Sequence, residues 1–144
     1  MSYANHMDSI QHLANDLRMA CQQVSRRVRF ESGSELAPHH ASVLFKLLDG
    51  PRTPGELAEL DRISAPSMTR TVNCLAERGL VDTRDHPSDG RSKLVVLTEA
   101  GRTLLEATVQ ARDDWMVRKL QGLSKDELTV LVEATGLLNR VLEQ

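Results

Sequence analysis

The chain has 144 residues, which is enough for one compact domain with a real hydrophobic core. A hydrophobic fraction of 40% and a charged fraction of 26% are ordinary for a globular protein, and a formal net charge of -2 does not by itself indicate nucleic-acid binding. Aromatic residues make up only 3% of the chain, which argues against the stacking platforms of single-strand and RNA binders.

The first predicted element is a long helix over residues 8–30, which ends at a Gly/Ser break over 32–34. Its apolar stripe comprises Ile10, Leu13, Leu17, Cys21, Val24 and Val28. A second helix is predicted to begin at Pro38 and to end before Asp49-Gly50-Pro51. The inward face predicted for this helix comprises Val43, Leu44, Leu47 and Leu48.

Capping signals place two shorter helices next. Thr53 and Glu56 have capping-box spacing and open a third helix. The side chains predicted to face inward from it are Leu57, Ala58 and Leu60. Ser64 is predicted to cap a fourth helix over residues 65–78, which Gly79 ends.

A hairpin and two long helices complete the chain. Residues 80–86 and 92–97 are predicted strands around a turn that contains Asp89-Gly90. Thr98 is predicted to cap a helix that runs to Leu120. A second capping box at residues 124–127 opens the last helix, with apolar residues at helical spacing up to residue 142.

The layout is mainly α with a small β-hairpin wing: a winged helix-turn-helix flanked by long terminal helices. We expect an N-terminal dimerisation helix over 1–34, a DNA-binding domain over 35–100 and C-terminal dimerisation helices over 101–144. The terminal stripes have little else in the chain to cover them, so a homodimer is favoured over a monomeric bundle.

Helical phase divides the fourth helix into two faces. Met68, Val72, Leu75 and Ala76 are predicted to face inward, and Cys74 to face outward. The candidate DNA contacts on its cap and outer face are Ser64, Ser67, Thr69, Arg70 and Asn73. Arginine can pair with guanine and asparagine with adenine in the major groove. The alternative is an ordinary solvated face of a surface helix.

The predicted hairpin adds positive charge through Arg84, Arg91 and Lys93, and Arg91 lies where a wing enters a narrow minor groove. Asp89 is expected to accept a hydrogen bond from Arg91 or another arginine and to hold the turn, although a solvated Asp-Gly turn would have the same sequence. Further candidates for phosphate contacts are Arg52, Arg62 and Arg78.

Two segments carry a family resemblance. They are Ser67-Met68-Thr69-Arg70 followed by Leu75-Ala76-Glu77-Arg78-Gly79-Leu80-Val81, and Asp89-Gly90-Arg91 followed by Leu97-Thr98-Glu99-Ala100-Gly101. The chain resembles MarR-family transcriptional regulators along nearly its whole length.

The resemblance implies a homodimer on a palindromic operator, with Ser67, Thr69 and Arg70 in the major groove and Arg91 in the minor groove. It also implies a repressor that a small phenolic or lipophilic ligand, or thiol oxidation, releases. Cys74 and Gly90 stand where the family often has basic residues, which predicts modest affinity or strong salt dependence.

A ligand pocket is expected between the first, second and fifth helices. Its candidate lining residues are Arg18, His39, Phe45 and Trp115. Cys21 and Cys74 form no CxxC pair and are expected to be free thiols, Cys21 buried and Cys74 the more exposed candidate for redox control. The five histidines, His6 among them, form no metal-binding pattern, so no metal or cofactor is expected.

Other functional classes have less support. The chain has no GxSxG, GxxxxGK[ST], GxGxxG or HExxH motif, and we do not expect an enzyme. No apolar run is long enough to span a bilayer and no signal-peptide pattern begins the chain, which predicts a cytoplasmic protein with no membrane partner. A winged helix used for protein–protein contact, or a thiol-redox-sensing regulator, remains the alternative.

Overall fold

The computed structural model describes the backbone of residues 2–144 and the side chains of residues 9–144, so the side chain of His6 lies outside the described residues. Six helices and one antiparallel hairpin follow each other in the predicted order. They are α1 (Ser2–Glu31), α2 (Pro38–Lys46), α3 (Pro54–Asp61), α4 (Ala65–Glu77), β1 (Val81–Asp85), β2 (Lys93–Leu97), α5 (Glu99–Leu120) and α6 (Lys125–Leu142). The winged helix-turn-helix class is confirmed. No helix in the described part of the chain is long and apolar enough to cross a membrane.

The predicted helix caps are confirmed. The side chains of Thr53, Ser64, Thr98 and Ser124 each accept a hydrogen bond from the backbone N–H three residues on. Glu56 and Glu127 complete capping boxes by accepting from the cap residue's own N–H. The bonds from Ser124, above all its backbone N–H, lower the pKa of Glu127.

The hydrophobic core lies among α2, α3, α4, the hairpin and the first turns of α5. Its largest fully buried side chains include Leu36, Leu44, Leu57, Met68, Leu75 and Leu105. Val72 is buried as predicted, and Ala76 packs against the core while partly exposed.

Two predicted core positions are wrong. Leu48 is 40% exposed because α2 ends at Lys46, so helical phase no longer applies there. Leu60 is 51% exposed. Leu57 and Ala58 define the buried side of α3, and at about 100° per residue Leu60 points well away from their mean direction.

Arg52 connects the base of the wing to α2. Its backbone N–H donates to the Val95 carbonyl at 3.1 Å, and the Val95 N–H donates back to the Arg52 carbonyl at 2.8 Å. Its Nε atom donates to the Lys46 carbonyl at 2.9 Å. Arg52 therefore forms a one-residue third strand beside β2, a structural role that the sequence does not predict.

The start of α5 is hydrogen-bonded to the turn that follows α4. Thr98 Oγ1 donates to the Gly79 carbonyl at 2.7 Å and accepts from the Gly101 N–H at 3.1 Å. A Cβ atom at position 101 would lie 2.1 Å from the Leu80 carbonyl oxygen, so only glycine allows this approach. Gly101 is itself buried.

The terminal helices contribute little to this core. None of the residues of α6 is buried, and the described side chains of α1 are all at least partly exposed. Large apolar side chains on both helices face solvent, among them Leu13 (65%) and Val132 (73%). Cys21 is also exposed in the single chain, which contradicts its predicted burial.

We expect Gly101→Ala to lower the free energy of unfolding by at least about 2 kcal/mol, because the new methyl group collides with backbone atoms rather than with a flexible side chain. Urea unfolding measures this change. Gly90→Ala is the matched control, since no atom lies within 4 Å of its Cβ position, and it should change stability by less than about 0.5 kcal/mol. Equal stability of the two variants would contradict the prediction.

Candidate nucleic-acid interface

The N-terminus of α4 presents two serine hydroxyls. Ser64 Oγ accepts from the Ser67 N–H at 3.3 Å and donates to Ser67 Oγ at 2.9 Å. The Ser67 hydroxyl proton is therefore free to donate outward, while its oxygen is already engaged. The unpaired N–H groups of this helix end add a local preference for an anion such as a phosphate.

The threonines of α4 turn their hydroxyl protons back onto the helix. Thr69 Oγ1 donates to the Ala65 carbonyl at 3.0 Å, and Thr71 Oγ1 donates to the Ser67 carbonyl at 3.1 Å. Thr69 is exposed. It can therefore offer a methyl group and an acceptor oxygen, which suit a thymine methyl or an exocyclic amine of a base.

Arg70 and Asn73 are two unengaged hydrogen-bond donors on the outer face. Both are exposed, and neither side chain bonds to another described residue. Their donors are available for a ligand without any internal bond being broken. Cys74 is half-exposed and Cys21 is exposed, so the prediction that Cys74 is the more exposed of the two free thiols is wrong.

The tip of the hairpin is ordered by Asp89. Its Oδ1 atom accepts from the Arg91 backbone N–H at 3.0 Å, and its Oδ2 atom accepts from Ser92 Oγ at 3.3 Å. The His86 N–H donates to the Ser92 carbonyl at 3.1 Å, although the strands themselves end one residue earlier than predicted on each side. Asp89 thus holds the turn through the backbone of Arg91, and the exposed Arg91 guanidinium stays unpaired within the described residues.

The two other basic residues of the wing differ in availability. Arg84 on β1 is exposed, stands opposite Leu94, and forms no ion pair among the described residues. Lys93 on β2 stands opposite Asp85 and forms an ion pair with it. The hydrogen bond from Lys93 and then its charge lower the pKa of Asp85.

The four candidate ligand-binding residues do not line one cavity of the chain. Arg18 is exposed on α1, where it bonds to Asn15 and Gln22. His39 lines a cavity of about 330 Å³ that is also bounded by Arg29 and by Thr71 of α4. Phe45 lines a separate cavity of about 370 Å³ against α5. Trp115 is 7% exposed, with Lys119 Nζ 5.3 Å from its ring centre.

His40 lies half-buried behind His39, with the two ring centres 4.2 Å apart. Its Nδ1 atom is buried without a hydrogen-bond partner. Burial, and next the positive charges of His39 and Arg78, lower the pKa of His40. Within the described residues no group of three or more potential ligands is placed to hold a metal ion.

Comparison with known proteins agrees with this geometry. A sequence model of the MarR family matches residues 34–92. The HTH-type transcriptional regulator MT0903.1 of Mycobacterium tuberculosis is 37% identical over 140 residues, which cover 96% of this chain and 98% of the relative.

Solved structures give the same result. Wild-type MarR of Escherichia coli in its apo form is 27% identical, with a TM-score of 0.72 and coverage of 90% of this chain and 96% of that one. The transcriptional regulator Tm0710 of Thermotoga maritima is 25% identical, also with a TM-score of 0.72, over 93% of this chain and 99% of that one.

The fold, the exposed polar face of α4 and these relatives define a DNA-binding transcriptional regulator of the winged helix-turn-helix class. The chain belongs to the MarR family.

We expect the free energy of unfolding to decrease as the pH falls below about 6.5, because of His40. The unfolded chain binds a proton near the ordinary pKa of 6.5, whereas the folded protein takes it up only at lower pH. The contribution is therefore fully present above pH 6.5 and is lost as pH falls towards the folded pKa. Urea unfolding at pH 7.5 and 5.5 tests this. His40→Gln should lose less stability across that interval than wild type, and an equal loss would contradict the assignment.

Proposed function

We propose that this protein is a transcriptional repressor that binds a palindromic operator in double-stranded DNA as a homodimer. The proposal rests on two groups of hydrogen-bond donors, one on α4 and one on the wing, that no described residue engages. Arg70 and Asn73 are free on the outer face of α4, and the guanidinium of Arg91 is free at a wing tip whose backbone is held by Asp89.

Each set suits one groove of a duplex. Helix α4 enters the major groove, where Arg70 pairs with guanine, Asn73 with adenine, and Thr69 contacts a thymine methyl. Ser64 and Ser67 at the helix start take a phosphate, and Arg91 enters the adjacent minor groove. Arg84 and Lys93 contact the backbone beside it. Helix α4 has no aromatic residue, whereas protein–protein interfaces are enriched in aromatic side chains, which supports DNA over a protein partner.

The exposed stripes of α1 and α6 support the homodimer. Ile10, Leu13, Val132 and Leu142 are 48% to 84% exposed in the single chain, which is costly unless a second copy covers them. In this arrangement residues 1–34 and 101–144 associate, and residues 35–100 read DNA. A twofold dimer places two copies of α4 on half-sites about one helical turn, or a multiple of it, apart.

Release by a small ligand is part of the proposal. The cavity beside His39 supports it, because its wall includes Met68 and Thr71 of the DNA-reading helix as well as Arg29 of α1. In the dimer Arg18, Phe45 and Trp115 contribute to ligand binding from the neighbouring helices. Oxidation of Cys21 or Cys74, both free thiols, is the alternative trigger.

We expect Arg70→Ala to weaken binding to an operator duplex by about 1–3 kcal/mol, because a base contact is lost. Arg91→Ala should weaken binding and also reduce the slope of log affinity against log salt by up to about 1. Fluorescence anisotropy over a salt series, with duplexes from around the protein's own gene and random competitor, gives both quantities. Arg118→Ala, an exposed arginine on α5 outside the proposed DNA contacts, is the control, with its sedimentation mass measured to verify that it still dimerises. Wild-type affinity in both interface variants would refute the contact model.

We expect the wild-type protein to sediment at twice its chain mass of 16.0 kDa, and Leu13→Glu or Val132→Glu to shift it towards the single-chain mass. A charge on either stripe is costly only if a second copy buries it. Arg140→Glu, on the same helix but on the face opposite the stripe and exposed, should leave the mass unchanged. Single-chain mass for the wild type at micromolar concentration would overturn the dimer.

A further inference from the structure

The wing carries as many acidic as basic residues. Its cations are Arg84, Arg91 and Lys93, and its anions are Asp82, Asp85 and Asp89. A wing that enters a groove of a polyanion gains from positive charge, so this balance requires an explanation. The three acids have different surroundings, and only one of them holds a basic side chain.

Asp89 is engaged with the backbone of the turn, through the N–H of Arg91 and the hydroxyl of Ser92. Asp82 lies opposite Val96 and forms no ion pair among the described residues. Asp85 lies opposite Lys93, the last strand pair before the tip, and its Oδ1 atom accepts a hydrogen bond from Lys93 Nζ. Both side chains of this pair are well exposed, 76% for Asp85 and 60% for Lys93.

We propose that Asp85 is a specificity-determining residue of the wing, which holds Lys93 in an internal ion pair and gives it up only to a phosphate that the bound duplex presents at close range. The proposal rests on the proposed function, because it concerns how the wing distinguishes an operator from other DNA.

Non-specific affinity arises almost entirely from lysine and arginine side chains that neutralise phosphates and release counterions. A lysine that is already paired with a carboxylate gives no net release of counterions. When this lysine contacts a phosphate instead, the carboxylate loses its partner. On an operator, the base contacts of α4 hold the wing against the backbone, so a phosphate competes with Asp85 at high local concentration. The pair therefore weakens binding to random DNA more than binding to the operator, and the ratio of the two affinities rises.

Exposed ion pairs are weak, so Lys93 moves easily from Asp85 to a phosphate. The expected effect on DNA affinity is a few-fold rather than many orders of magnitude.

Asp85→Asn is the central variant, since it removes the charge and keeps the shape. Asp82→Asn is the matched control: it makes the same change in net charge on the same strand but frees no lysine. Lys93→Gln and the double variant Asp85→Asn with Lys93→Gln complete the cycle.

The probes are a mixed-sequence 24-base-pair duplex and the duplex from around the protein's own gene that wild type binds most tightly, each titrated by anisotropy over a salt series. Asp85→Asn should bind the mixed-sequence duplex about five- to tenfold more tightly, with a salt slope steeper by about 1. Asp82→Asn should gain no more than about twofold, without that change in slope. Lys93→Gln should stay within about twofold of wild type on this duplex, and the double variant should match Lys93→Gln.

On the tight duplex Asp85→Asn should gain less than on the mixed-sequence duplex, so the specificity ratio falls. The proposal is overturned if Asp85→Asn and Asp82→Asn gain equally, if the gain persists without Lys93, or if both duplexes gain alike. Wild-type protein that binds neither duplex would refute the proposed function and this inference together. Wild-type binding with unchanged variants would refute this inference alone.

Discussion

The junction of Gly79, Leu80, Thr98 and Gly101 is the constraint on which the rest of the structure depends. The end of α4, the start of β1, the end of β2 and the start of α5 all meet there. The Thr98 hydroxyl donates to the Gly79 carbonyl and accepts from the Gly101 N–H in the first turn of α5. The backbone of Gly101 lies against Leu80. The orientation of α4 relative to α5 is therefore set by short, directional contacts as well as by side-chain packing.

The distribution of apolar surface follows from this junction. The lobe that contains α2, α3, α4 and the hairpin buries its own core, whereas α6 buries nothing fully and α1 packs mainly against α5. The lobe thus has a core of its own, whereas α1 and α6 leave large apolar side chains exposed in the single chain.

Local signals were sufficient to predict the element order, because each boundary is marked by residues that act locally, such as Thr53, Ser64, Thr98 and Ser124 at the helix starts. The errors arose where tertiary structure decides. Leu48 lies beyond the end of its helix, and Cys21 has no covering element in its own chain. Arg52 was the hardest to predict, because a one-residue strand has no periodicity.

That single residue has a mechanical consequence. Through Arg52 the base of the wing is bonded to the last turn of α2, and Lys46 of the same turn is bonded to Asp61 at the end of α3. The hairpin, α2 and α3 are thus joined by bonds around Lys46 and Arg52. Helix α4 follows α3 after a single tight turn in which Arg62 has a φ of 53°. A movement that changes the angle between the wing and α2 has to break the hydrogen bonds of Arg52 first.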